Sequence, residues 1–385
     1  MTVDPALLAA QADQALASGD RTKAQDLLER LVASTPDFSS WMKLGALRRA
    51  SGDFKAALQA VNAALGIVPL DFMALLSKAT ILERLAVASA DEAYGRALAQ
   101  MPDGPLPPQI EQLVEHGRQR YEAHLAQRDT ALAELLHSAT DTATPEERRR
   151  IDRFRTNATR KTRHYHSEPT HFHFPGITEY EFHDRSYFPW LADLEAATDT
   201  IAGELGAVLQ GERAELVPYI QYAAHEPLRQ WRELNNSRDW TAIHLLQNGQ
   251  RVDANARYCP QTMALLETLP QPGIDGCSPN AMFSLLAPRT NIPPHHGVAN
   301  TRLVCHLPLI VPAGCWFRVG AETRYWERGK AFVFDDTIEH EAANPSDELR
   351  VVLIIDIWHP GLSETERSAV RILLEASVED AALAL

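Results

Sequence analysis

Two histidines stand out by what surrounds them. His295 lies in Pro293-Pro294-His295-His296-Gly297, which reads as a turn between two strands. His340 lies in Phe334-Asp335-Asp336-Thr337-Ile338-Glu339-His340-Glu341, just after a strand and 45 residues further on. One His at the start of a strand pair and another on a later strand is how a double-stranded β-helix builds a non-haem iron site. Such a site normally has two His and one carboxylate, with open positions for oxygen and a co-substrate. Two loop histidines taken alone are more often structural, so their neighbours decide. Arg350 follows His340 by ten residues, on the apolar strand that runs to Trp358. An arginine projecting from a strand into a barrel is costly unless it meets an anion. A planar guanidinium matches a carboxylate through two hydrogen bonds, which suits the distal carboxylate of 2-oxoglutarate. Ser284, on the strand leading to His295, offers a hydroxyl to the same carboxylate. His306, eleven residues after His295, lies within reach of the pocket.

Other histidines have blander readings. His116, His124 and His137 fall on one long helical pattern and read as surface residues. His164, His166, His171 and His173 alternate like a metal tract, but loop signals flank them and no carboxylate pattern accompanies them. Asp335 and Asp336 read as turn-formers or as anchors behind a site rather than as general acids.

Positioning these groups requires strands, and the sequence from Phe172 onward supplies them. Short apolar runs at 240–245, 281–286, 302–310, 315–319, 330–334 and 350–358 are separated by Pro, Gly and Asn. They suggest an antiparallel β-sandwich or barrel. A helix is expected over 191–209 and another over about 364–376. The first hundred residues differ in texture, being rich in Ala and Leu with a helical period. Gly19-Asp20 recurs as Gly52-Asp53, and Ala24, Ala57 and Ala90 share that 33-residue offset with Pro36, Pro69 and Pro102. This period resembles the tetratricopeptide repeat, a stack of helix pairs. The third copy is degenerate. A breaker cluster around 101–108 is followed by one long helix to about His137, then by a capping box at Thr144-Pro145-Glu146-Glu147.

The chain has 385 residues, enough for two domains. Its formal net charge of −14 makes general nucleic-acid binding a poor expectation, since phosphate contacts need clustered Lys and Arg. Four cysteines without C-x-x-C spacing argue against a zinc ribbon and a disulfide-built fold. No signal peptide and no membrane-length apolar run is read, so a cytoplasmic protein is expected.

The segment Phe283–Pro360 resembles the aspartyl/asparaginyl β-hydroxylase family of Fe(II)- and 2-oxoglutarate-dependent oxygenases. The resemblance is carried by Pro294-His295-His296-Gly297, Asn300 with Arg302, His306-Leu307-Pro308-Leu309, Asp335-Asp336-Thr337-Ile338-Glu339-His340-Glu341 and Asp356-Ile357-Trp358-His359-Pro360. Phe174-Pro175-Gly176, Phe188-Pro189-Trp190 and Asp239-Trp240 extend it upstream. It implies His295 and His340 as metal ligands, Ser284 and Arg350 on the distal carboxylate of 2-oxoglutarate, and His306 near its other end. Gly297 stands where related oxygenases carry a metal-binding Asp. The resemblance implies a vacant ligand position there, filled by water, against the alternative of a turn glycine using its access to positive φ. Arg302 matches the first Arg of the family's Arg-x-Arg pair, and Val304 replaces the second, which weakens the case for an acidic peptide substrate.

The expectation is a multi-domain α + β chain. N-terminal α-helical TPR-like repeats (1–104) precede a helical connector (105–165) and a double-stranded β-helix, jelly-roll or cupin-like, oxygenase domain (166–385). It would use Fe(II), 2-oxoglutarate and O2 to hydroxylate the β-carbon of an Asp- or Asn-like residue in a peptide or protein, with the repeats as the candidate recruiting surface. A free or carrier-bound amino acid, a lipid acyl chain, or an inactive peptide-binding scaffold are the alternatives. The sequence does not specify the oligomeric state.

Overall fold

The structure, a computed structural model, describes residues 4–210, 216–223 and 231–377. The chain forms two units, Met1–Lys161 and Thr162–Leu385.

The first unit is helical. The antiparallel pairs are α1 (Pro5–Ala17) with α2 (Arg21–Ser34), α3 (Phe38–Ala50) with α4 (Phe54–Ile67), and α5 (Phe72–Arg84) with α6 (Ala90–Leu98). The repeated Gly-Asp is one turn used twice. Gly19 (φ 80°) and Gly52 (φ 85°) adopt the left-handed conformation that ends α1 and α3. Asp20 and Asp53 then accept from Lys23 N and Ala56 N at the starts of α2 and α4. The third copy keeps this geometry with poorer residues: Ala86 takes the positive φ at 53°, and Ser89 gives α6 no side-chain cap. Ala24, Ala57 and Ala90 are buried at the helix crossings.

The connector expected over 105–165 falls in this unit up to Lys161. Its long helix α7 (Pro108–Thr140) packs on α6 because Gly95 and Gly117 admit the facing rings. A Cβ on Gly95 would lie 2.4 Å from the Tyr121 ring, and one on Gly117 2.4 Å from the Tyr94 ring. The following α8 (Pro145–Ala158) begins with the expected capping box and is tied to α7 by Asp129, which meets Arg155, Thr159 and Lys161.

The second unit contains two antiparallel sheets. The expected helix at 191–209 is broken at Ala197 into α9 (Leu191–Ala196) and α10 (Thr198–Gln210). Thr198 Oγ1 bonds back to Glu195 O at 2.6 Å, and the Glu195 carboxylate takes Ala331 N and Arg185. The strands are β1 (Val217–Pro218), β2 (Trp240–Gln247), β3 (Gln250–Arg251), β4 (Ala281–Leu286), β5 (Thr290–His295), β6 (Arg302–Ile310), β7 (Trp316–Val319), β8 (Glu322–Tyr325), β9 (Phe332–Phe334), β10 (His340–Asn344) and β11 (Arg350–Trp358). The major sheet runs β1-β2-β4-β11-β6-β9 with β3 on β2, and the minor sheet β5-β10-β7-β8. Short helices α11 (Asp253–Ala256) and α12 (Pro260–Leu266) lie between β3 and β4, and α13 (Glu364–Ser377) follows the last strand.

Strand parity sorts the major sheet into two faces. Phe283, Leu285, Leu303, Cys305, Leu307, Val351, Leu353, Ile355 and Ile357 pack with residues of α9, α10 and α12 in one core. Met282, Val304, Val352 and Ile354 join Phe317 and Ala342 of the minor sheet in another. Ser284, Arg302, His306, Arg350 and Asp356 have that second parity. With both faces buried, these strands read as nearly continuous apolar runs, which hid the alternation.

Candidate active site

A cavity of about 480 Å3 opens on the second face of the major sheet. His295, His306, His340, Arg302, Arg350 and Ser284 all line it. The two candidate ligands come from adjacent strands: His340 of β10 is the register partner of His295 of β5, and their ring centroids are 3.9 Å apart. Here the sequence reading was incomplete, because the segment around His295 is a strand, not only a turn. Pro293-Pro294 disguised it, and β5 tolerates them as an edge strand.

Both imidazoles are held in one orientation. His295 Nδ1 lies 2.7 Å from Pro293 O, and His340 Nδ1 lies 3.1 Å from Ile338 O. A carbonyl can only accept, so the proton sits on Nδ1 and Nε2 keeps its lone pair. Burial pushes His340 down to about 4, and burial together with His340 pushes His295 well below the usual histidine range. At neutral pH both are uncharged donors, the state a metal requires. Among the described residues, no three His, Cys, Asp or Glu gather as a metal-binding set.

Arg350 is 1% exposed. Its guanidinium lies 4.8 Å over the Trp326 ring, Nη1 donates to Ser284 O at 3.3 Å, and Nε has no partner. Burial pulls it down to about 10, the mark of a cation without a nearby carboxylate. The Ser284 hydroxyl accepts from Trp240 Nε1 at 3.0 Å, leaving its own proton to donate. His306 packs among Phe317, Phe332 and Phe334, and its Nδ1 is buried without a partner. Burial, with Arg350 and His340 beside it, keeps His306 neutral.

Arg302 is in the opposite electrostatic state. Its Nη1 lies 3.1 Å from Asp336 Oδ2 and 3.4 Å from Asp356 Oδ1. Asp336 is thus a partner of Arg302, while Asp335 shapes the turn by accepting from Thr337 N and Oγ1. The turn-glycine expectation for Gly297 changes. Its φ is not positive, so conformational freedom is not its purpose. Nor is the space beside it open: a Cβ there would lie 2.2 Å from Asp336 Oδ2. Gly297 makes room for the Asp336 carboxylate.

Several residues escaped the sequence reading as parts of the site. Trp231 packs edge-on to His295, with centroids 4.8 Å apart, and Trp240 stacks on Tyr219 at 3.8 Å. His244 lines the cavity with Nδ1 unpartnered, and only its parity with Trp240 on β2 signals this. The segment 167–172 straps the two histidine-bearing loops together. Glu168 N bonds Thr337 O at 2.8 Å, and Thr170 N bonds Gly297 O at 2.9 Å. His164, His166, His171 and His173 do not line the cavity.

Comparison with known proteins gives this geometry a context. Residues 195–360 match the family model described as aspartyl/asparaginyl beta-hydroxylase. The human protein "Aspartyl/asparaginyl beta-hydroxylase" is 37% identical over 139 residues, 36% of this chain and 18% of that protein. Human "Aspartate beta-hydroxylase domain-containing protein 2" is 38% identical over 137 residues, 35% of this chain and 37% of that protein. "Ornithine lipid ester-linked acyl 2-hydroxylase" of Rhizobium tropici is 34% identical over 181 residues, 46% of this chain and 60% of that protein. The chain therefore spans less than two thirds of each of these relatives. Among solved structures, the TPR2B domain of yeast Sti1 in complex with pHsp70 aligns with 31% of this chain and 99% of that one, at 19% identity and a TM-score of 0.28. A score that low carries no argument about partners. No described helix is long and apolar enough to cross a membrane. The matched stretch runs from within α9 to just past the end of β11, so the sheet-bearing unit of this chain is similar to the aspartyl/asparaginyl beta-hydroxylase family.

Proposed function

We propose that this protein is an Fe(II)- and 2-oxoglutarate-dependent dioxygenase that hydroxylates an aliphatic C–H bond. The observation that carries the reading is Arg350, a buried cation without a counter-ion in the same cavity as two neutral imidazoles with free Nε2 atoms. Arg350 would receive the distal carboxylate of 2-oxoglutarate by a bidentate contact, with the Ser284 hydroxyl as a further donor. His295 and His340 would hold the iron through Nε2, their rings kept in place by Pro293 O and Ile338 O. His306, neutral and unpartnered at Nδ1, would approach the other end of the co-substrate. When bound, the iron supplies oxygen activation coupled to oxidation of 2-oxoglutarate to succinate and carbon dioxide, one oxygen atom entering the substrate C–H bond. Trp231, Trp240, Phe317 and Phe334 wall the cavity and exclude water.

The substrate is the β-carbon of an Asn- or Asp-like residue in a peptide or protein. Arg302 is already matched by two carboxylates and Val304 carries no charge, which favours the neutral, Asn-like member. One observation favours a second reading, an acyl chain: Met282, Ile292, Val304 and Ile354 give the cavity an aliphatic surface. A free or carrier-bound amino acid is the remaining form of the same chemistry. The experiment is incubation of the full chain with Fe(II), 2-oxoglutarate and heavy oxygen in a lysate, followed by mass spectrometry of peptides and lipids. Succinate formation that needs His295, His340 and Arg350, with label in one product class, supports the proposal. Fe(II) and 2-oxoglutarate binding that is unaltered in His340→Ala and Arg350→Ala refutes it.

A further inference from the structure

The helical unit contains a second cavity, a groove of about 880 Å3, remote in sequence from the catalytic residues and not used by the reaction. Three of its residues are arginines from successive first helices of the stack: Arg49 on α3, Arg84 on α5 and Arg120 on α7. They are 35 and 36 residues apart, close to one repeat. A stack of helix pairs brings such positions side by side along one surface.

The three arginines are not equivalent. Arg120 is committed, with Nε 2.7 Å from Asp91 and Nη1 2.9 Å from Glu83. Glu83 is saturated in turn, since the Tyr94 hydroxyl donates to it and His116 Nε2 lies 3.0 Å away. The only acidic residue lining the groove is therefore satisfied from within the unit. Arg49 and Arg84 are exposed, and among the described residues neither guanidinium has a hydrogen-bond or ion-pair partner. Phe54 and Leu113 supply apolar surface in the same groove. In a chain of net charge −14, two unmatched guanidiniums beside a self-neutralised hub are a local departure from the prevailing sign.

We propose that this groove docks an acidic peptide segment, Arg49 and Arg84 receiving its carboxylates while Phe54 and Leu113 receive an apolar side chain. The overall negative charge disfavours indiscriminate capture of such a segment, so recognition rests on the groove itself. Nucleic acid fits less well, because two free cations offer few phosphate contacts and the rest of the chain repels a polyanion.

The test is fluorescence anisotropy on the full chain with three labelled ten-residue peptides. One carries eight Glu and two Leu, and the others replace every Glu with Gln or with Lys. The Glu peptide should bind saturably and weaken as salt rises, and the Gln and Lys peptides should not bind. Arg49→Glu with Arg84→Glu should weaken binding roughly tenfold or more. Reversal of two exposed cations outside the groove, Lys23→Glu with Arg96→Glu, controls for added negative charge and should change binding less than about threefold. None of the four side chains makes a native ion pair, but Arg49, Arg84 and Arg96 lie in the last turns of their helices, so both double variants should melt only a few degrees below the wild type and stay folded in the assay. Absence of saturable binding to the Glu peptide overturns the proposal. Equal binding of the Gln peptide, or equal losses in both double variants, does the same. Tighter binding of a ten-nucleotide single-stranded DNA than of the Glu peptide would reassign the groove to nucleic acid.

Discussion

Gly297→Ala is a one-carbon change whose effect follows from three distances. The added Cβ would lie 2.2 Å from Asp336 Oδ2, 2.3 Å from its Cγ and 2.6 Å from Oδ1. Ordinary contact begins near ~3.5 Å, so the carboxylate must retreat by more than about 1 Å. It is not free to do so. Oδ2 is 3.1 Å from Arg302 Nη1, and the Gly297 N–H donates to Asp336 O at 2.6 Å, tying the two segments together. Retreat stretches a buried ion pair, and breaking one costs about 3–5 kcal/mol. Arg302 keeps Asp356 at 3.4 Å, so the low end, ~3 kcal/mol, applies. For a unit of this size that is a fall in Tm of roughly 6–12 °C. Tryptophan fluorescence reads the right transition, because six of the seven tryptophans lie after Lys161. The cause is isolated by a second background. In Asp336→Ala the obstructing carboxylate is gone, and Gly297→Ala should cost less than about 1 kcal/mol, a coupling of roughly 2 kcal/mol. A Gly297→Ala variant that melts within about 1 °C of wild type, or that loses the same stability in both backgrounds, refutes the reasoning. Gly297→Asp should be destabilised at least as much and gain no Fe(II) affinity, since its carboxylate would meet one already there.

Three further outcomes are expected. His295→Ala and His340→Ala should each abolish 2-oxoglutarate turnover and Fe(II)-dependent quenching of tryptophan fluorescence, whereas exposed His166→Ala should leave both intact. Arg350→Ala should raise KM for 2-oxoglutarate more than about tenfold, equivalent to ~2–5 kcal/mol of lost binding. Arg350→Met should also raise Tm of the ligand-free protein, because a buried unmatched cation is replaced by a side chain of similar length without charge; a lower Tm would show that Arg350 is stabilising without its anion. Asp335 is pushed up to about 7 by burial, so the folded state holds its proton more tightly than the unfolded state does. Its contribution favours folding below the unfolded carboxylate range and is lost as pH rises towards about 7. Thermal melts of wild type and Asp335→Asn across that window should diverge as pH rises, the wild type losing more stability.

What could be read in the sequence was set by residue identity, and what could not was set by contacts between distant segments. The Gly-Asp repeat specified the turns of α1–α4 because glycine and aspartate each do one job there, and Ala86 in the third turn explains why that copy looked degenerate. The place of α7 in the stack was invisible, because it depends on Gly95 and Gly117 each receiving a tyrosine from the other helix. In the sheet unit, Ser284, His295, Arg302, His306, His340 and Arg350 were named and line the cavity, but Trp231 and His244 were not, and β5 was missed. Its two prolines contradict a strand unless it is known to lie at an edge. Arg302 and Arg350 looked alike in sequence. Only the fold brings Asp336 and Asp356 to one and not to the other.

That asymmetry gives the cavity a direction. Arg302 opens β6 opposite Trp358, the last residue of β11, and Arg350 opens β11 opposite Leu286. The two cations therefore start from opposite ends of the β6–β11 ladder and enter one cavity. At the Arg302 end, two carboxylates already face the one guanidinium, and burial pushes Asp336 up, so that end offers an entering anion no free cation. At the Arg350 end, a full positive charge is buried without compensation. An anion entering the cavity finds a free protein counter-ion only at the Arg350 end, so one carboxylate of a dianion such as 2-oxoglutarate is drawn there and the molecule is oriented. The same arrangement works against an acidic side chain at the Arg302 end. Introducing the missing cation there makes the point testable: Val304→Arg places a guanidinium beside Asp356, its register partner on β11. If the end is acidic as described, the new cation is compensated on arrival and KM for 2-oxoglutarate stays within about threefold of wild type. A rise comparable to that of Arg350→Ala would mean that the co-substrate's charge is read at both ends.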